Sequence, residues 1–372
     1  MKLYKHLRMI LTLYCILLAI TGFNVSSIKA STSLDITFDE VSHIVTNEDI
    51  FLGCEVIDNT LFAMSVSNGL KSFDISNKEQ PHLLDDIGEV CYSHSFDICG
   101  DLYFLADATF GIKIFNISNP ANLVKIGQYY PEGDGENLGL YATESLLVAN
   151  EWHDSLGYSK ILIINITDPS TPTLISSYED EESFFLRFHI DNDLCYAASS
   201  NTGLIIFNIS NPETITEICH YSDLISPSNF RKIDDIIYLT DANYFRILDV
   251  GNLSDIQKIG EYKTTNFAMD VGIQDTVAFV SEREEGLIAL DITNPNNPQN
   301  ISKFDTRDIL FFDFDTDYLY LALVDYGIKI VSYNLTTVTN KVSIFPILPV
   351  LFPILGIMTT FRKIHLVMIK ND

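Results

Sequence analysis

Residues 111–120 read GIKIFNISNP, a short apolar run closed by an Asn and a Ser-Asn-Pro turn, and recognisable copies return about every 42 residues. The copies are GLKSFDISN from Gly69, KILIINITDP from Lys160, GLIIFNISNP from Gly203, YFRILDVGN from Tyr244, GLIALDITNP from Gly286 and GIKIVSYN from Gly327, seven in all with the first. Each unit carries several β-rich runs and no helical periodicity. A repeat of that length and content predicts an all-β chain, a seven-bladed β-propeller.

The second unit shows the layout. Residues 90–98 are extended, Gly100-Asp101 is a tight turn, 102–106 is a strand, 108–110 a loop, 111–117 a third strand, Asn119-Pro120 a turn and 123–129 a fourth strand. The first turn recurs as Asp58-Asn59, Thr143-Glu144, Asn192-Asp193, Asp234-Asp235, Gln274-Asp275 and Thr316-Asp317. The Asp or Asn before the other turn recurs as Asp74, Asn116, Asn165, Asn208, Asp249 and Asp291, where a side-chain oxygen can accept a bond from the backbone just ahead. Many of the carboxylates therefore have architectural work. The seventh unit has no fourth strand of its own, and residues 34–38 form a spare extended stretch before the first. We expect that stretch to complete the last blade as its outer strand and close the ring, leaving no open edge.

With these residues in view, GLIIFNISNP, GLIALDITNP and their siblings resemble the LVIVD repeat, an apolar strand closing on Asp or Asn before a Ser-Asn-Pro turn. The resemblance covers residues 42 to 333. It implies a β-propeller of a kind found mainly on or outside prokaryotic cells, and it implies no particular activity. Two units depart from the pattern: the fifth has Tyr244 where Gly leads, and the seventh lacks the Asn-Pro turn. No Trp-Asp pair closes any unit, so the WD type fits less well.

The ends carry targeting signals. Lys2, Lys5 and Arg8 precede an apolar core over 9–20, and Ser27 or Ala30 offers a cleavage point, so residues 1–30 read as a secretory signal peptide, with an uncleaved anchor as the alternative. Residues 341–372 contain a second apolar run over 342–358, followed by Arg362 and Lys363. They read as a transmembrane anchor or a sorting tail, with the propeller, residues 31–340, on the extracellular side. The chain's formal charge is −27; of its 50 acidic residues only Asp372 lies outside 31–340, whereas eight of its 23 basic residues do. So acidic a surface excludes nucleic acid as a partner. Cys54, Cys91, Cys99, Cys195 and Cys219 show no regular spacing, and only Cys91 with Cys99 suggests a pair.

Three constellations are candidate sites. Aligning the units on the turn after the first strand puts Glu55, Asp97, Tyr141, His189, Arg231, Asp270 and Asp313 in one column, a ring on the channel that could hold a cation or polar ligand or a column of solvated walls. The segment 151–155 reads as a loop, an insertion that lengthens the third unit, and holds the chain's single Trp. Trp152, His153 and Asp154, with Glu132 and Asp134 and with Glu179 and Glu182 on neighbouring connections, could form a recognition patch. Asp313, Asp315 and Asp317 alternate, which on a strand would put three carboxylates on one face for calcium, although the EF-hand pattern fails at Tyr318 and Val324.

The expectation is a membrane-tethered, non-enzymatic extracellular module that binds a surface protein or glycan through the Trp152 face. One alternative is a channel-centred hydrolase or lyase using His189, Arg231, Asp270 and Asp313; another is a structural component of a surface layer.

Overall fold

In a computed structural model the described residues are 32–45, 49–66, 68–88, 95–130, 135–153, 158–324 and 327–339. The segments read above as signal and anchor, and Cys91, lie outside them. Among the described residues no helix is long and apolar enough to cross a membrane. Residues 35–336 form one compact unit.

That unit is a ring of seven four-stranded antiparallel sheets, a seven-bladed β-propeller. Blades 1 to 6 span residues 51–86, 95–129, 140–180, 185–221, 227–263 and 268–304, each as four consecutive strands. Blade 7 takes Ile309–Phe314, Tyr318–Leu323 and Gly327–Thr339 from the end of the repeat region, and its outer strand is the N-terminal Thr32–Ile44. Closure by the N-terminal strand is as expected, over a longer segment than 34–38. Along that seam Lys329 meets Glu40 at 2.8 Å, Ile36 is buried, and Phe38 packs edge-on against Phe279 and Phe304 of blade 6.

The repeat's residues explain themselves locally. Asp58, Gly100, Asn192, Asp234 and Asp275 open the first hairpin turns at φ between 48° and 58°, the left-handed region that Asp, Asn and Gly tolerate. In blade 6 this turn sits one residue later than the sequence suggests, at Asp275-Thr276. All six Asx positions accept the backbone N–H two residues on: Ser76 to Asp74, Ser118 to Asn116, Thr167 to Asn165, Ser210 to Asn208, Gly251 to Asp249 and Thr293 to Asp291. The leading Gly of the third strand has a tertiary reason. At Gly203, Gly286 and Gly327 φ is positive, and a Cβ would lie within 2.4 Å of the carbonyl of Tyr221, Phe304 or Ile44 on the fourth strand. Blade 5 dispenses with it because Ala242, at φ 50°, takes the left-handed position in a shorter hairpin.

The core lies between blades. Phe104, Ile114, Leu147 and Ile164 join blades 2 and 3, and Phe185, Val148, Ile163 and Phe207 join blades 3 and 4. The Asn-Pro turn of one blade docks on its predecessor: Pro120 O accepts Ser72 Oγ at 2.5 Å and Pro212 O accepts Ser176 Oγ at 2.6 Å. At Gly127 and Gly260 the same contact is so close that a Cβ would overlap the carbonyl oxygens of Pro169 and Pro295.

Candidate functional site: the central channel and its mouth

The innermost strands are Phe51–Ile57, Ser95–Cys99, Leu140–Ala142, Phe185–Asp191, Pro227–Ile233, Ala268–Gln274 and Ile309–Phe314. All seven residues of the sequence column line one cavity of about 390 Å³ at the centre of the ring. Six of them occupy equivalent positions, five opposite an aromatic residue of the second strand and one opposite a valine: Glu55 on Phe62, Asp97 on Phe104, Tyr141 on Val148, His189 on Tyr196, Arg231 on Tyr238 and Asp313 on Tyr320.

Asp270 is displaced from that ring. In blade 6 the residue opposite Phe279 is Gly272, and Asp270 falls in a bulge between Ala268 and Val271. It therefore belongs to a second tier, two residues earlier on each strand, whose members include Arg187 and Asn229. Sequence reasoning missed that tier; the two-residue period of a strand, applied backwards from the column, would have found it. Arg187 lies over the Phe311 ring, 4.4 Å from its centroid, and donates to Leu186 O at 2.9 Å. Asn229 Nδ2 donates to Asp270 Oδ1 at 2.5 Å, and Arg231 approaches the same oxygen at 3.7 Å.

Three of the carboxylates stitch blade to blade. Asp97 accepts Ala142 N at 2.7 Å, Asp313 accepts Val56 N at 2.7 Å and Asp270 accepts Phe312 N at 3.0 Å. In each case the donor is one position beyond the equivalent residue in the next blade. Glu55 has no hydrogen-bond or ion-pair partner among the described residues.

The electrostatics follow from this crowding. Burial, then repulsion from Asp313 and Asp97, pushes Glu55 up to about 8 against the relief given by Arg231. Burial likewise raises Asp97 to about 6, with the Ala142 and Ile98 N–H groups opposing it. Asp270 and Asp313 are raised by burial, and Arg231 partly offsets both. On the other side, burial lowers Arg187 to about 10 and holds His189 below its ordinary value, helped by Lys232.

Trp152 is half-buried rather than fully exposed. The expected loop is instead the end of a strand, Leu146–His153, and Trp152 exchanges backbone bonds with Glu136, both at 2.8 Å. Its ring meets Phe184 edge-on at 4.9 Å. Glu151 and His153, on the opposite face of that strand, are buried and paired at 2.7 Å, so His153 is no surface ligand. Asp154, Glu132 and Asp134 lie outside the described residues. Glu179 is exposed beside Lys160 at 3.4 Å, and Glu182 is exposed on the following connection.

Trp152 and Phe184 instead wall a second cavity, of about 560 Å³. Its other walls include Leu52, Leu138, Leu186, Ser228, Met269 and Leu310. Each of these stands three residues before the ring position of its blade, so they form the mouth of the channel at the end where blades connect. Arg187 and Phe311 line both cavities. Two candidates that were separate in sequence are therefore one site, an apolar mouth over a charged channel. Buried polar side chains hold the mouth in shape: Asn150 Oδ1 accepts Leu138 N and Gly139 N, and Asp241 Oδ1 accepts Ile225 N and Ser226 N.

The aspartate triplet comes apart. The strand ends at Phe314, so Asp313 faces the channel while Asp315 and Asp317 belong to the turn. Asp315 accepts Asp317 N, Tyr318 N and the Tyr320 hydroxyl. No group of three or more His, Cys, Asp or Glu among the described residues is arranged to hold a metal ion. Cys54, Cys99, Cys195 and Cys219 are free thiols.

No curated protein matches the chain. Among solved structures, the crystal structure of the computationally designed Ika8 protein superposes with a TM-score of 0.57 at 10% identity, covering 79% of this chain and 99% of its own. That likeness concerns the fold alone. The LVIVD repeat family matches residues 92–130, 158–180, 190–223, 234–264 and 267–306. The chain is thus an LVIVD-repeat β-propeller.

Proposed function

We propose that the propeller is an exported, membrane-tethered, non-enzymatic binding module that takes its ligand, or one group of a larger partner, through the Trp152 mouth into the central channel. The observation that carries this is the continuity of the two cavities at Arg187 and Phe311, with apolar walls above and convergent charged groups below. Enclosed space of this size with a few placed polar groups suits a small molecule or inserted side chain. A glycan fits less well, because few of the mouth's side chains offer hydrogen bonds to hydroxyls. The basic, apolar N-terminus and the apolar run before Arg362 and Lys363 support export and tethering. Against catalysis by the hydrolase or lyase set, Asp270 and Asp313 are engaged in backbone bridges.

The chain's single Trp lies in the mouth, so its fluorescence reports occupancy. Titrating the full chain with n-octanol is expected to change Trp152 emission saturably, and Leu186→Asp together with Leu310→Asp to abolish the change. Emission that drifts without saturating would refute the site. Export and tethering are tested separately, by protease digestion of intact cells followed by fractionation; a chain protected from protease and found in the soluble fraction would overturn that part.

A further inference from the structure

Glu55, Asp97 and Asp313 stand in one tier on three consecutive blades, 1, 2 and 7, and form one wall of the channel. No salt bridge among the described residues reaches any of them. The guanidinium groups are engaged elsewhere: Arg231 lies beside Asp270 and Asn229, and Arg187 is held on Phe311 and Leu186 O. Asp97 and Asp313 each give an oxygen to the next blade, and Glu55 gives none. One wall of the channel thus has three carboxyls that no salt bridge reaches, Arg231 relieving them only at longer range, and its central member, Glu55, has no hydrogen-bond or ion-pair partner among the described residues.

Chemistry narrows what could relieve it. An anion would face the acidic wall. A neutral apolar molecule would fill the mouth and leave the wall as it is. A bare metal ion would make no use of the apolar mouth, and no metal-binding cluster is present among the described residues. A charge-assisted hydrogen bond from an N–H donor to carboxylate suits the wall, and a hydrocarbon body suits the ring above.

We propose that the site is selective for a small organic cation, a primary ammonium on an apolar body, with the ammonium against Glu55, Asp97 and Asp313 and the body between Leu52, Leu138, Trp152, Phe184 and Leu310. This rests on the reading of the mouth and channel as a binding site. It explains why a tier rich in carboxyls lies directly beneath a ring of Leu and Met, two surfaces that no single simpler ligand would use.

The test is a calorimetric titration of the full chain with three eight-carbon probes, n-octylamine, n-octanol and octanoate, at pH 8.5, where Glu55 is largely ionised and octylamine is still an ammonium, with Trp152 emission followed in parallel. Octylamine is expected to bind about tenfold or more tighter than octanol, and octanoate more weakly than either. Glu55→Gln, which keeps the shape of the side chain, is expected to remove the octylamine advantage over octanol. Octanol or octanoate binding as tightly as octylamine would overturn the ammonium proposal and leave the mouth standing as a site. An octylamine advantage that survives Glu55→Gln would also overturn it. Saturable binding by none of the three would overturn both readings.

Discussion

The Asp313 carboxylate, on the innermost strand of blade 7, accepts the N–H of Val56 on the innermost strand of blade 1 at 2.7 Å, so the ring is closed at its centre as well as at its rim. Asp97 makes the same bridge from blade 2 to Ala142 of blade 3. Asp313→Ala leaves the Val56 N–H without its acceptor and should cost about 1–3 kcal/mol in denaturant unfolding, while Asp313→Asn, which keeps an acceptor oxygen, should cost less. Equal losses for Ala and Asn would show that charge, not the bridge, matters there.

Closure at the rim depends on Thr32–Ile44. Deleting residues 31–40 removes buried Ile36, the Phe38 contacts with Phe279 and Phe304, and the Glu40 pair with Lys329. Loss of the two apolar side chains alone predicts a destabilisation of about 3–6 kcal/mol. Melting at the wild-type temperature would disprove the closing role of this strand.

The pH dependence has a definite sign. Burial and neighbouring carboxyls raise Glu55 from 4.5 to about 8, so the folded chain holds this proton more tightly than the unfolded chain does. Stability must therefore fall as pH climbs through that interval, and the whole penalty is present above it. Asp97 acts in the same direction between 3.8 and about 6. Glu55→Gln should raise the melting temperature at pH 8.5 by about 2–4 °C and leave it nearly unchanged at pH 4.5. A gain of the same size at both pH values would contradict the assignment.

Arg246 and Asp241, both buried, approach to 2.8 Å, with the N–H direction off the carboxylate oxygen, so theirs is an ion pair without a well-formed hydrogen bond. Arg246→Met strands the Asp241 charge and should cost about 3–5 kcal/mol. Adding Asp241→Asn, which keeps an acceptor for Ile225 N and Ser226 N, should restore a large part of it. A double variant less stable than the single one would overturn this account.

The blade count, the strand limits and the Asx turns were legible because they are local. A left-handed turn or an Asn oxygen accepting the N–H two residues on is decided by a few adjacent residues, and seven repetitions average out the departures. The channel column was legible for the same reason in six blades. It failed at Asp270, where a bulge between Ala268 and Val271 shifts the register, something no turn alignment records. Trp152 was misplaced because an insertion longer than its siblings reads as a loop, whereas here the strand simply runs on to His153.

By itself the sequence determined that this chain is a ring of seven similar sheets and which side chains ride on its inner strands, because period and alternation are properties of neighbouring residues. Only the tertiary structure decided what those side chains meet. That Glu55 stands between Asp97 and Asp313 without a partner, and that Trp152 and Phe184 wall the mouth above Arg187, arises from strands far apart in the chain converging on one axis. There the charge and burial of each group depend on all the others.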